Sequence, residues 1–227
     1  MSQFKQITKD GIWQNNPALV QLLGLCPLLA VSTTVANSLG LGLVTLMVLT
    51  CSNLLISCLR SQLNSTTRLP AQILIIASFV TCADVLLQAY WYELHRGIGL
   101  FVALIVTNCT LLARAESFAS RNSLGMATLD GFMMGLGFLL VLVLLGAIRE
   151  VLGQGTLLAD MHLLFGEPAR SWKISLGNPG ILLAVLPPGA FLTFGCLIAA
   201  RNWFAQRLAF THAELDTSSL IHREKLL

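Results

Sequence analysis

Residues 26–30 read Cys-Pro-Leu-Leu-Ala, and residues 109–113 read Cys-Thr-Leu-Leu-Ala. A second match follows each of them: Asn37-Ser38-Leu39-Gly40 recurs as Asn122-Ser123-Leu124-Gly125. The spacing between the matches differs by two residues, which a loop absorbs. Each cysteine opens its motif inside a long apolar run, and two further apolar runs follow each copy. The chain therefore reads as two related three-helix units. Three is odd, so the second unit enters the membrane upside down relative to the first. That is an inverted-topology repeat about a pseudo-two-fold axis in the membrane plane.

Composition supports a membrane setting. Of 227 residues, 55% are hydrophobic and 11% charged, against about 25% charged in a soluble domain. Mean hydropathy is +0.75. The net charge of +3 is too small and too scattered for a nucleic-acid surface. The six cysteines sit in or beside apolar runs, without the loop spacing of a secreted disulfide framework. Residues 1–16 are polar and lead into the first apolar run with no small-residue cleavage site, so a cleaved signal peptide is not expected.

A spanning helix needs about 20 mostly apolar residues. Six segments qualify: 17–35, 39–59, 70–92, 98–113, 131–148 and 181–200. The expected fold is an all-α integral membrane protein, one membrane domain over 1–227. Repeat one covers about 17–92 and repeat two about 98–203, with tails at 1–16 and 204–227. Asn15-Asn16-Pro17 reads as a turn, and Tyr90, Trp91, Tyr92 and Trp203 sit where aromatic belts belong. With the N-terminus inside, the inner segments hold Lys5, Lys9, Arg60, Arg68, Arg114, Arg121, Arg201, Arg207, Arg223 and Lys225. The outer ones hold Arg96, Arg149, Arg170 and Lys173. Ten against four places both termini in the cytoplasm. Residues 153–180 then form an outer loop, apolar enough at Trp172 and Ile174 to lie on the membrane or on a partner.

Cys26 lies about nine residues into the first span and Cys109 about eleven into the fourth. At about 1.5 Å per residue, both fall near the middle of a core about 30 Å thick. Gly24 and Pro27 flank Cys26, and Thr107-Asn108 precede Cys109, so helices 1 and 4 are expected to be broken at that depth. Irregular backbone there is tolerated only where it lines a site or is covered by protein. A membrane cysteine is usually only a small hydrophobe, and that reading suffices for Cys51, Cys58, Cys82 and Cys196. For Cys26 and Cys109 the duplication argues for more. A [2Fe–2S] centre takes four thiolates, so two inward-facing thiols suggest a partner chain with two more. A disulfide is the other specific reading, although mid-membrane thiols lack an obvious oxidation route.

Asp84 reads as the one acidic residue well inside a span, and so as a speculative ion or proton site. A protonated, hydrogen-bonded structural Asp is the bland alternative. Arg114 and Glu116 read as a structural pairing at the inner end of helix 4. Asn53 and Asn108 read as hydrogen-bonding bridges between helices, and Gly131, Gly135 and Gly137 as close helix packing. No G-x-G-x-x-G or Walker pattern follows a strand. The four histidines read as lying in loops or the tail, which leaves no haem pair.

Four stretches carry a family resemblance: Asn15–Val31, Ile105–Cys109 continuing to Arg114-Ala115-Glu116-Ser-Phe-Ala-Ser, Asp130–Phe138, and Leu186-Pro187-Pro188-Gly189-Ala190-Phe191. Together they resemble the family formed by the E-type subunits of Rnf complexes and the D-type subunits of Nqr complexes, Rnf-like in detail, up to about Trp203. The resemblance implies a component of an ion-translocating electron-transport complex of the bacterial inner membrane, inactive alone. Such complexes couple electron flow between NADH and ferredoxin, or quinone in the Nqr branch, to Na⁺ or H⁺ movement. It implies a paralogous A-type partner of opposite topology. It also implies other Rnf subunits carrying flavins and iron–sulfur centres, and one intramembrane [2Fe–2S] cluster shared with the paralogue. Matched motif to motif, the ligands from this chain are Cys26 and Cys109. Flavin and nicotinamide belong to other subunits, and membrane lipid is the remaining partner.

The rival class is a secondary transporter or channel without redox chemistry, since broken helices and inverted repeats are common there. It predicts activity from this chain alone and tolerance of Cys26→Ser, whereas the relay predicts iron dependence.

Overall fold

A computed structural model describes residues 6–8, 10–61, 67–165, 174–175 and 180–224, with side chains for these except 165, 174–175 and 208–224. After a π-helical turn at Asp10–Gln14 come α1 (Leu25–Val31), α2 (Val35–Leu59), α3 (Arg68–Tyr90), α4 (Tyr92–Ala103) and α5 (Cys109–Arg114). A π-helical turn at Ala115–Ala119 leads to α6 (Leu124–Gln154), β1 (Thr156–Leu157) and α7 (His162–Phe165). β2 (Ile174–Ser175), α8 (Leu182–Val185) and α9 (Pro187–Glu224) complete the order.

Among the described residues, α2, α3 and α6 are long and apolar enough to cross a membrane. They cover three of the six expected spans, with α6 running well beyond the expected 131–148 at both ends. The other three are interrupted. Segment 17–35 holds turns at 17–20 and only seven helical residues in α1. Segment 98–113 is broken between α4 and α5. Both breaks were expected. The break in 181–200 was not, although its cause is visible in the sequence. Pro187 and Pro188 offer no N–H, and a residue before proline is pushed to extended backbone. Leu186 accordingly adopts φ −72°, ψ 159° between α8 and α9. The expectation of a purely α-helical chain needs a small correction. β1 and β2 pair antiparallel, Thr156 opposite Ser175 and Leu157 opposite Ile174. Much of the expected outer loop, including Arg170, Trp172 and Lys173, lies outside the described residues, as do Lys5 and Lys9.

The molecule is organised around α2 against α6, its most extensive helix contact. Apolar helices gain little from mutual burial when lipid is the solvent, so close approach has to hold them together. Glycines provide it: a Cβ on Gly135 would stand 3.0 Å from Leu46 Cα. Leu41, Val48 and Leu49 of α2 meet Met134, Phe138, Leu142 and Leu145 of α6 in the core. Leu43, Met47, Leu74, Leu86, Leu100, Leu140 and Phe191 face outward. Asn53, Gln72, Asp130, Arg149 and Glu150 are buried. Apolar surface outside and polar groups inside is the arrangement a bilayer selects. Tyr90, Trp91, Tyr92 and Trp203 are exposed, as belt residues should be.

Candidate functional site

The expected Asn15-Asn16-Pro17 turn anchors the approach to the first break. The Asn16 side chain is buried; its Oδ1 accepts from Ala18 N at 3.0 Å and Leu19 N at 3.1 Å, and its Nδ2 donates to Gly137 O on α6 at 3.1 Å. This holds the incoming chain against the middle of α6. Gly24 then turns it through a left-handed conformation, φ 72°, which only glycine adopts without strain, and α1 begins at Leu25. On the other side, Asn108 caps α5, its Oδ1 accepting from Thr110 N at 2.9 Å. The cap is built from the residue just before Cys109, a standard helix start.

These two starts touch. A Cβ on Gly24 would stand 2.8 Å from Asn108 Oδ1, 2.9 Å from Thr110 Oγ1 and 2.9 Å from Phe138 Cε2. Phe138 is near the midpoint of the 31-residue α6. From this common point the short helices diverge. α1 ends where Arg149 of α6 donates to Leu29 O and Ser32 Oγ. α5 ends where Arg114 donates to Asp130 of α6. Along α6 those anchors lie roughly 16 Å and 12 Å from Phe138, on opposite sides, at about 1.5 Å per residue. The half-helices thus run in opposite directions with their N-terminal ends together. Cys26 is the second residue of α1, and Cys109 is the first of α5.

Both thiols are free and exposed on the isolated chain. Exposure does not single them out, because Cys58, Cys82 and Cys196 are exposed as well. Their place at the paired starts of two broken helices does. Two further donors are stranded at the same place: Asn108 Nδ2 and Thr110 Oγ1 are buried with no hydrogen-bond partner among the described residues. Among those residues no three His, Cys, Asp or Glu side chains gather to hold a metal. Two soft thiols fit half of the ligand set an iron–sulfur centre takes, so such a centre would need its remaining ligands from another chain.

The ends of the half-helices carry charges that the sequence reading misplaced. Arg149, counted as an outer-loop charge, is 1% exposed inside α6. Its Nε donates to Ala184 O at 3.1 Å, its Nη1 to Leu29 O at 3.1 Å and Ser32 Oγ at 2.8 Å, and its Nη2 to Val185 O at 2.6 Å. One guanidinium therefore satisfies the orphan carbonyls closing both α1 and α8. Next to it, buried Glu150 accepts from Val35 N at 2.8 Å, the first residue of α2, and from Ala159 N at 2.9 Å. The sequence signal was that Arg149-Glu150 follows an apolar run without a break, and that the helix stops only at Gly155, in left-handed conformation. Arg149 and Cys26 line one groove of about 480 Å³ with Leu25, Val185, Pro187 and Phe191.

Arg114 and Glu116 are structural pairings as expected. Arg114 binds Asp130 bidentately and lies 5.1 Å over the Phe118 ring, while Glu116 accepts from Gln72 at 3.0 Å and pairs with Arg68 at 3.4 Å. Asp130 and Glu150 also correct the expectation that Asp84 is the only acid inside a span. Asp84 is partly exposed on α3, its Oδ1 2.9 Å from His95 Nε2 and its Oδ2 accepting from Gln88 at 3.3 Å. His95 belongs to α4, not to a loop, and the three residues line an open cleft of about 570 Å³ with Tyr92 and Arg96. Among the described residues neither expected asparagine bridge forms. Asn108 caps its own helix, and Asn53, buried against Gly131, has no side-chain partner among the described residues.

Comparison with known proteins gives the family. Residues 4–198 match the family described as Rnf-Nqr subunit, membrane protein. A protein of Cellvibrio japonicus, named as the E subunit of an ion-translocating oxidoreductase complex, is 57% identical over 202 residues, 88% of this chain and 85% of its own. One of the same name from Pseudomonas aeruginosa is 54% identical over 208 residues, covering 91% and 87% of the two chains. Another from Pseudoalteromonas atlantica is 51% identical over 228 residues, covering 100% and 98%. Because the family match runs over residues 4–198, most of the chain, the chain belongs to the Rnf-Nqr family of membrane subunits.

Proposed function

We propose that the chain is the E-type subunit of an Rnf-type ion-translocating oxidoreductase complex, holding half of a [2Fe–2S] cluster within the bacterial inner membrane. The observation that carries this reading is the contact of Gly24 with Asn108 and Thr110. It brings the two cysteine-bearing helix starts, 83 residues apart by number, to one place beside the middle of α6. The opposite course of α1 and α5 supports two inverted three-helix units, repeat one over about 17–92 and repeat two over about 98–203, in a single domain of six spans. Removing Arg149 and Arg114 from the loop charges leaves nine against three, which still supports cytoplasmic termini.

On this reading Cys26 and Cys109 provide two of four ligands, and a paralogous A-type subunit of opposite topology provides the other two. Bound there, the cluster supplies one-electron transfer. This chain's own part is to hold two thiols at the starts of two helices packed together on Phe138, with Asn108 Nδ2 and Thr110 Oγ1 as unpaired donors beside that junction. Other Rnf subunits carry the flavins and further iron–sulfur centres, with neither flavin nor nicotinamide held here. Asp84, paired with His95 in an open cleft, is the proposed ion or proton site.

The test is iron content and electron paramagnetic resonance of the dithionite-reduced, co-purified membrane pair, comparing the wild type with Cys26→Ser and Cys109→Ser. A reduced [2Fe–2S] signal in the wild type that disappears in both variants is the expected result. No iron, or a signal indifferent to both substitutions, would remove the relay and favour a secondary transporter or channel without redox chemistry.

A further inference from the structure

We infer that Arg149 is the positioning residue for Cys26, and that its unpaired charge acts on the redox centre held there. The inference rests on the proposed cluster for its electrostatic half only. α1 is a seven-residue helix whose Leu28 and Val31 are buried in the apolar core and whose two ends are each held by a further contact. One is the Gly24 turn packed on Asn108, Thr110 and Phe138. The other is Arg149, bound to Leu29 O and Ser32 Oγ. Such a short helix has no stability of its own, so the place of Cys26 depends on that packing and on these two ends. The same guanidinium also holds Ala184 O and Val185 O, tying α1 to the α8–α9 break. Cys26 is thereby set against Val185, Pro187 and Phe191 along one groove.

Every acceptor of Arg149 is neutral. Among the described residues no carboxylate pairs with it, and the adjacent Glu150 is turned to Val35 N and Ala159 N. A buried cation without a counter-charge is costly. Helix C-terminal carbonyls offset part of that cost. An anionic centre on Cys26, in the same groove, offsets more, and more still once reduced. The charge therefore favours the reduced state.

Two readouts separate position from charge. The first is maleimide labelling of the full-length chain in membranes without its partner, read at Cys26 and Cys109 by peptide mass spectrometry. In Arg149→Met, the ratio of Cys26 to Cys109 labelling is expected to change by roughly tenfold or more, the ratio for losing one charge-assisted hydrogen bond; both thiols are exposed at the start, so the change reads placement rather than uncovering. Arg149→Lys keeps the charge but lacks the planar fork and is expected to shift the ratio as well, which separates placement from charge. An unchanged ratio in both variants overturns the positioning role. If Arg149→Met does not accumulate, Arg149→Lys is judged by the same criteria. The second readout is the midpoint potential of the co-purified complex. It is expected to be more negative in Arg149→Met and close to wild type in Arg149→Lys, and an unmoved potential in Arg149→Met overturns the electrostatic role. Absence of a cluster signal in the wild type overturns the cluster reading instead, while labelling still decides the positioning.

Discussion

Gly24 and Asn108 hold the two half-helices end to end: the left-handed turn of one sits directly on the capping side chain of the other. The contact leaves no space for a side chain at position 24. Gly24→Ala adds backbone strain of about 1–2 kcal/mol and places a methyl group within 2.9 Å of Asn108, Thr110 and Phe138. A loss of at least about 1–2 kcal/mol is expected, the strain alone, read as a lower midpoint in thermal unfolding in detergent. Gly125→Ala is the control, because nothing lies within 4 Å of its Cβ and the helix gains up to about 1 kcal/mol from alanine. Equal midpoints for the two variants would show that the half-helix junction is not a tight contact.

The Arg114–Asp130 pair joins α5 to α6, and its two members differ in burial. The Asp130 side chain is 2% exposed and that of Arg114 16%. Arg114→Ala strands a buried carboxylate and is expected to cost about 3–5 kcal/mol. Asp130→Ala leaves an arginine that can reach toward the surface, so its cost is expected to be smaller. Arg114→Met with Asp130→Leu should recover much of the loss, since apolar replacement of a buried pair is often neutral. A double-mutant cycle in detergent unfolding measures this, and strict additivity of the single losses would contradict the pairing.

What could be read from residues alone followed the range of the interaction. The duplicated cysteine motif, the weak points at Gly24 and Asn108 and the main apolar runs depend on neighbours a few positions away, and they stand out in the sequence. The place of Arg149 is not legible in the sequence, because its partners are backbone carbonyls of residues 29, 184 and 185. Carbonyls carry no residue identity, so no pattern announces them. Asp130 resembled a loop residue because the turn before α6 hides that the helix already starts at Leu124. Tyr90-Trp91-Tyr92 reads as a span ending, which sets His95 in a loop by sequence alone. It is one, but α4 starts again at once, with Trp91 as the only break. The proline pair at 187–188 was a legible signal that length counting overrode.

Glu150 joins the start of α2 to the segment after β1 through one carboxylate, with one oxygen on Val35 N and the other on Ala159 N. Glutamine has a single amide oxygen and can accept only one of these bonds. Glu150→Gln is expected to speed amide exchange at either Val35 or Ala159, and Glu150→Ala at both, by roughly tenfold or more for each charge-assisted bond lost. Hydrogen-exchange mass spectrometry over residues 156–164 and 33–40 reads the two ends separately. Unaltered exchange in Glu150→Ala would mean the two N–H groups are held by something else.

Asp84 and His95 face each other across α3 and α4 with Gln88 beside them, at the rim of an open cleft that also holds Tyr92 and Arg96. The cleft is separate from the groove containing Cys26. A role in ion or proton movement therefore predicts a divided phenotype. Asp84→Asn is expected to keep iron content and electron flux in the purified complex while lowering ion uptake per electron in proteoliposomes several-fold. His95→Gln, which retains a hydrogen-bonding side chain but cannot take up a proton, is expected to lower the ratio if a proton moves and to spare it if a metal cation binds Asp84 alone. An unchanged ratio in Asp84→Asn would return Asp84 to a structural hydrogen-bonding role, and an equal fall in electron flux and ion uptake would show that the two clefts are not separable in function.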